Sequence, residues 1–178
     1  MKRLVITILI TVLILPAMAQ DDGKVEWLSM TEALKKNKEN PRKIFIDVYT
    51  DWCGWCKKMD KTTFRDSEVA SLLNTHFYPV KFDAEGSKPI KFQGKIFKNP
   101  NPNGRRSTHQ LAAALLRNQL SYPSYVLLDE NNRGLTVLKG YLKEAQLTPI
   151  LRYIGKDIYK DKKWDEYKKN NGDVSSDD

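Results

Sequence analysis

Residues 43–57 read K-I-F-I-D-V-Y-T-D-W-C-G-W-C-K, and the fold turns on this stretch. Lys43 to Thr50 is a near-continuous run of β-branched and aromatic residues, the pattern of a central strand covered on both faces. The C-x-x-C follows directly, so Cys53 is expected to open a helix. Cys53 and Cys56 are the only two cysteines in 178 residues. A structural disulfide works mainly by closing a long loop of the unfolded chain, and a C-x-x-C ring closes almost none. Chemistry explains the pair better than bracing does. A structural zinc site needs about four ligands. Only His76 and His109 could join the cysteines, and neither lies at finger spacing to them or to the other. No metal is expected, and both histidines read as ordinary surface or loop residues.

Composition frames that stretch. At 40% hydrophobic and 29% charged, the chain is an ordinary globular sequence, long enough for one decorated domain. No fixed period or dominant residue occurs, which excludes collagen-like, coiled-coil and low-complexity classes. Leu4 to Leu15 stands apart, with 12 uncharged and mostly apolar residues behind Lys2 and Arg3. As a helix this run spans about 18 Å, short of a bilayer core of roughly 30 Å. Pro16 ends it, and Ala17-Met18-Ala19 has the small-x-small form of a cleavage site. Residues 1–19 are therefore expected to be a secretory signal peptide. An uncleaved anchor is the competing reading, and the length argues against it. Cleavage leaves 159 residues and lowers the net charge from +8 to +6. The expected location is the periplasm, with the extracellular space as alternative, and the membrane is met only during export. Both cysteines then enter an oxidising compartment.

The domain is expected over residues 20–169, with a polar, disordered tail at 170–178. Val25-Glu26-Trp27 reads as a short extended piece. Ser29-Met30-Thr31-Glu32 is a capping box that starts a helix through about Asn37, ended by Asn40-Pro41. Asp66-Ser67-Glu68 caps a second helical piece to Asn74, and Phe77 to Asp83 is the next strand. Its Pro79 lies near the start, where a missing N–H is tolerable. Residues 85–106 are irregular, with a possible hairpin at Gln93-Gly94. Thr108 can cap a helix from His109 to Asn118. Ser124–Asp129 and Leu135–Tyr141 read as two strands around a turn. Thr148-Pro149 is expected to open a last helix, with Ile150, Leu151, Ile154 and Ile158 on one apolar face. Strands alternating with helices and closing on a hairpin predict an α/β fold, with a mixed sheet flanked by helices.

I-D-V-Y-T-D-W-C-G-W-C-K, followed far downstream by Y-P-S-Y-V-L-L-D, resembles the thioredoxin superfamily. Among its members the chain is most similar to exported thioredoxin-like proteins with a W-C-x-W-C-K signature. The resemblance spans about Val25 to Lys160. It implies a thioredoxin-like fold with 85–106 as an insertion between the third expected strand and the following helix. It also implies that Asp47, six residues before Cys53, is a buried proton acceptor, and that Lys81 accompanies it. A solvent-facing Asp47 on a half-exposed strand is the competing reading. Tyr122-Pro123 matches the cis-proline of the superfamily, whose preceding residue pairs with extended substrate. Tyr122 itself departs from the small or β-branched residue common there.

Disulfide exchange needs a thiolate. At a helix N-terminus Cys53 would meet free N–H groups and the favourable end of the dipole, making it the attacking nucleophile. Lys57 adds positive charge, and Cys56, one turn in, resolves the mixed disulfide. Burial would raise the pKa of Asp47 so that it can take the Cys56 proton. Trp52, Gly54 and Trp55 flank the sulfurs, with Tyr122 and Pro123, as a substrate surface; plain packing is the alternative for each Trp. The insertion carries six cations against Glu85, a net +5, and reads as a docking element or as a solvated loop.

The leading function is an exported thiol:disulfide oxidoreductase acting on protein disulfides or dithiols. It needs no cofactor beyond the Cys53–Cys56 disulfide. With no nicotinamide motif, its expected redox partner is a membrane-bound thiol reductase or oxidase. No His lies between the cysteines to stabilise the thiolate, which tilts the reading toward reductant. The alternatives are a non-catalytic binding or chaperone-like module, a disulfide oxidase or isomerase, and metal handling by the two thiolates. Nucleic acid is not an expected partner, because aromatics do not interleave with the basic residues as a stacking platform.

Overall fold

The computed structural model describes residues 23–170. The expected signal peptide lies outside them, as does the expected tail except for Asn170. The elements run α1 (Met30–Glu39), β1 (Lys43–Tyr49), α2 (Gly54–Lys61), a 3-10 turn (Thr63–Arg65), α3 (Ser67–His76) and β2 (Phe77–Asp83). They continue with β3 (Ile90–Phe92), β4 (Lys95–Phe97), α4 (Gln110–Leu115), β5 (Ser124–Leu128), β6 (Gly134–Lys139), α5 (Glu144–Gly155), a second 3-10 turn (Ile158–Lys160) and α6 (Trp164–Asn170). The four-stranded sheet has the order β2-β1-β5-β6. β1 runs parallel to β2 and antiparallel to β5, and β6 is antiparallel to β5.

The apolar run of β1 is explained by helices on both faces. Strand alternation sends Ile44, Ile46 and Val48 to a core shared with Met30, Ala33, Leu111 and Leu116, from α1 and the α4 region. It sends Phe45 to the other side, where it packs among Phe64, Phe77, Tyr125 and helix residues Met59, Leu73, Leu147 and Leu151. Asp47 projects on this second side.

α1 starts where the sequence places it. The Ser29 Oγ accepts from the Glu32 N–H at 3.3 Å, and Glu32 Oε2 accepts from the Ser29 N–H at 2.9 Å. Ser29→Ala should lower stability by about 1 kcal/mol, read as a drop of a few degrees in Tm.

Other boundaries differ. The expected extended piece at Val25–Trp27 forms no strand; Leu28 makes a single bridge to Val80 at the sheet edge. The cap of α4 is His109, not Thr108: its Nδ1 accepts from the Leu111 N–H at 3.1 Å. The imidazole is buried against Phe82, so His109 is not a surface residue. α4 ends at Leu115, three residues early, and Arg117 and Asn118 follow with left-handed φ of 52° and 60°. α5 begins at Glu144, before Thr148-Pro149, and carries Pro149 inside it. The Lys143 N–H donates to Gln146 Oε1 at 2.9 Å, which fixes the earlier start. Ile158 lies beyond α5 in the second 3-10 turn. α6 is an addition the sequence did not suggest; Trp164 seats it on Tyr153 at 5.1 Å.

Candidate active site

β1 delivers the chain to the redox pair. After Tyr49 a turn is closed by the Cys53 N–H donating to the Thr50 carbonyl at 3.1 Å. Cys53 is the N-cap of α2, and its Sγ accepts from the Cys56 N–H at 3.0 Å. The two are joined as a disulfide with Cα atoms 5.3 Å apart. Cys53 is 4% exposed and Cys56 2%, so depth barely separates them. Position separates them: Cys53 caps the helix, where free N–H groups stabilise negative charge on sulfur. Gly54 is exposed, and a Cβ there would meet nothing within 4 Å, so approach over the first turn is open. Lys57 is exposed in that same turn.

Beneath the helix, β1 and β2 are in register with Asp47 opposite Lys81. Asp47 is 1% exposed, which excludes the solvent-facing alternative. The Lys81 ammonium donates to Asp47 Oδ2 at 2.6 Å and also pairs with Asp60 on α2. It sits among the rings of Trp27, Tyr49 and Phe64, at 5.1, 5.0 and 5.6 Å from their centroids. Burial pushes the Asp47 carboxyl up to about 6; Lys81 opposes that shift and Asp60 adds to it. Burial would lower the Lys81 pKa, but the Asp47 and Asp60 carboxylates outweigh it and hold the amine above its ordinary value. Asp47 Oδ1 has no hydrogen-bond partner among the described residues. A carboxyl so placed holds its proton to a higher pH than an ordinary aspartate does.

Asp60 was missed by sequence reasoning, although a signal existed. It lies four residues after Cys56, so helical spacing puts it on the same face.

Both tryptophans are walls rather than core. Trp52 is 51% exposed and Trp55 56%. Trp55 packs on Tyr141 at 5.5 Å, with the Lys58 ammonium 4.9 Å from each ring. Trp52 meets the edge of Tyr122 at 5.8 Å, and the Tyr122–Pro123 peptide bond is cis. Trp52 and Tyr122 thus meet next to the cis bond of Pro123, while Trp55 stands on the first turn of α2 against Tyr141.

The insertion divides. Its hairpin, β3–β4, lies against α1, and the Gln93 Nε2–H donates to the Asn132 carbonyl at 2.7 Å. That is the N-terminal end of β1, opposite the cysteines, so Lys91 and Lys95 are not beside Cys53. The other arm returns to the redox end, where the Arg106 guanidinium lies 4.9 Å over Trp52. Among the described residues no group of three or more His, Cys, Asp or Glu could hold a metal ion.

Comparison with known proteins agrees with this arrangement. A family profile described as Thioredox_DsbH, a protein of unknown function (DUF255), matches residues 16–92. The disulfide bond reductase DsbH of Chlamydia pneumoniae is 26% identical over 114 residues, covering 64% of this chain and 61% of that one. An uncharacterised protein of Caenorhabditis elegans is 39% identical over 65 residues, or 36% of this chain and 9% of that one. The chain therefore spans less than two thirds of the length of these relatives. The solution structure of a thioredoxin from Thermus thermophilus superposes with a TM-score of 0.55 at 19% identity, covering 74% of this chain and 87% of the other. A C-x-x-C at the start of the helix after β1, in a chain that superposes on a thioredoxin over 74% of its length, gives the protein the thioredoxin fold.

Proposed function

We propose that the protein is an exported thiol:disulfide oxidoreductase that reduces protein disulfides. The carrying observation is a Cys53–Cys56 disulfide that caps α2, directly after a strand whose buried Asp47 carboxyl is pushed up to about 6 by burial. The reaction runs from the dithiol. The Cys53 thiolate attacks one sulfur of the substrate disulfide, and the substrate's other sulfur leaves as a thiolate and is protonated. Asp47 takes the Cys56 proton, and the Cys56 thiolate attacks Cys53 Sγ. The second substrate thiolate then leaves, and two electrons have passed to the substrate. The protein ends as the disulfide described above and needs a dithiol donor, assigned to a membrane-bound thiol reductase. The name of the Chlamydia relative, a disulfide bond reductase, supports this direction. Trp52, Gly54, Trp55, Tyr122 and Pro123 supply the substrate surface, and Lys57 supplies positive charge beside the thiolate.

Two measurements test the reading. With dithiothreitol as donor, the protein should accelerate insulin reduction, and its Cys53/Cys56 couple should be more reducing than about −200 mV. No acceleration would favour a binding module that keeps its disulfide. A potential near −120 mV would make the protein an oxidant.

A further inference from the structure

Asn99 is 5% exposed within an otherwise polar loop. Its Nδ2 donates to the carbonyls of Glu85 at 2.9 Å and Ser107 at 2.7 Å. Its Oδ1 accepts from the Ser107 hydroxyl at 2.6 Å and the Asn101 N–H at 3.0 Å. One side chain thus ties together the two arms of the insertion where they leave and rejoin the fold.

Both arms end on Trp52. Glu85 Oε1 accepts the indole N–H at 3.0 Å, and the Arg106 guanidinium covers the ring at 4.9 Å. Arg106 holds a left-handed φ of 57°, which a non-glycine residue keeps only where its surroundings impose it. A cleft of about 370 Å³ lies between Trp52, Asp51, Asp83 and the arms. An unrestrained surface indole samples several rotamers, and any partner that packs on it must freeze one. Here Glu85, Arg106 and Tyr122 hold it in advance, while half its surface stays open.

We propose that the 99–107 loop is a specificity element of the redox site, with Arg106 the positioning residue that holds the Trp52 indole as a wall for polypeptide disulfides. The proposal rests on the oxidoreductase reading above. A folded or extended polypeptide reaches from the sulfurs to this wall. A small disulfide touches the sulfurs alone. Losing the guanidinium should therefore weaken the binding of protein substrates and shift selectivity toward small ones.

The experiment compares Arg106→Ala and Arg106→Lys with the wild-type chain. It measures kcat/KM for insulin and for a small aromatic disulfide, and records the indole region of the 15N–1H spectrum. Arg106→Ala should lower the insulin-to-small-disulfide ratio about threefold to tenfold, acting through KM. The Trp52 indole resonance should move while those of Trp27, Trp55 and Trp164 stay, and Arg106→Lys should recover part of both effects. An unchanged ratio, or an unmoved Trp52 resonance, overturns the proposal. Wild-type protein that reduces neither disulfide overturns the oxidoreductase reading instead. The indole spectrum needs no turnover, so it still decides whether Arg106 holds Trp52.

Discussion

Cys53→Ser should lose disulfide-reducing activity by about a thousandfold or more, because a serine hydroxyl cannot supply the thiolate that attacks sulfur. Cys56→Ser should fail differently. Its Cys53 still attacks, but nothing resolves the adduct, so the protein accumulates as a mixed disulfide with its substrate. The roles are assigned by position in α2. Cys53 is the N-cap and its sulfur already accepts the Cys56 N–H at 3.0 Å, so negative charge there meets a hydrogen-bond donor and the positive end of the helix. Cys56 lies one turn in, inside α2, away from the free N–H groups of the N-cap position. The check is intact-mass analysis of each reduced variant incubated with insulin. A covalent adduct on Cys56→Ser and none on Cys53→Ser is the expected pair of outcomes. The reverse pattern would exchange the two roles.

The redox centre was legible because independent signals coincide on a short stretch. The apolar run of β1 fixes a doubly covered strand, and the C-x-x-C follows before the chain can wander. Asp47 stood out for the same reason: a carboxylate inside such a run needs a buried partner, and register with β2 supplies Lys81. What stayed hidden depends on contacts distant in sequence. His109 reads as a lone polar residue until its Nε2 is seen 3.1 Å from the Lys88 carbonyl. Arg106 is one of six cations in the insertion, and only the Asn99 tie brings it back to Trp52. Pro149 misled in another way. Proline at the first turn is a strong start signal, but Leu147 is fully buried in the second core and Gln146 Oε1 accepts from the Lys143 N–H, and together they extend α5 five residues upstream.

Asp47→Asn should stabilise the oxidised protein at pH 8 while slowing its catalysis, and both effects follow from one carboxyl. An ordinary Asp has a pKa of 3.8, and in the fold Asp47 is pushed up to about 6. A raised folded pKa means the native state binds the proton more tightly than the unfolded chain does. Its contribution to stability is fully present below the unfolded value and is lost as pH rises through 6. At pH 8 the ionised carboxyl therefore costs about 3 kcal/mol relative to its neutral form. Asparagine resembles that neutral form, and Lys81 keeps Asp60 as a partner. The variant should gain up to about 3 kcal/mol at pH 8, on the order of 6–12 °C in Tm for a domain of this size. The gain should shrink through pH 6 and vanish near pH 4. Activity moves the opposite way. Asparagine cannot take the Cys56 proton, so product release at pH 7 should fall about a hundredfold. The wild-type rise in rate centred near pH 6 should disappear from the profile. Thermal unfolding at pH 5 and 8, with a pH–rate profile for release of the mixed disulfide, measures both sides. A variant no more stable at pH 8 than at pH 5, relative to wild type, would show that Asp47 is not the strained acid described here. An unchanged profile would remove it from the proton transfer. If both shifts occur, the stability withheld by the buried carboxyl is what keeps a base available to the Cys56 thiol at neutral pH.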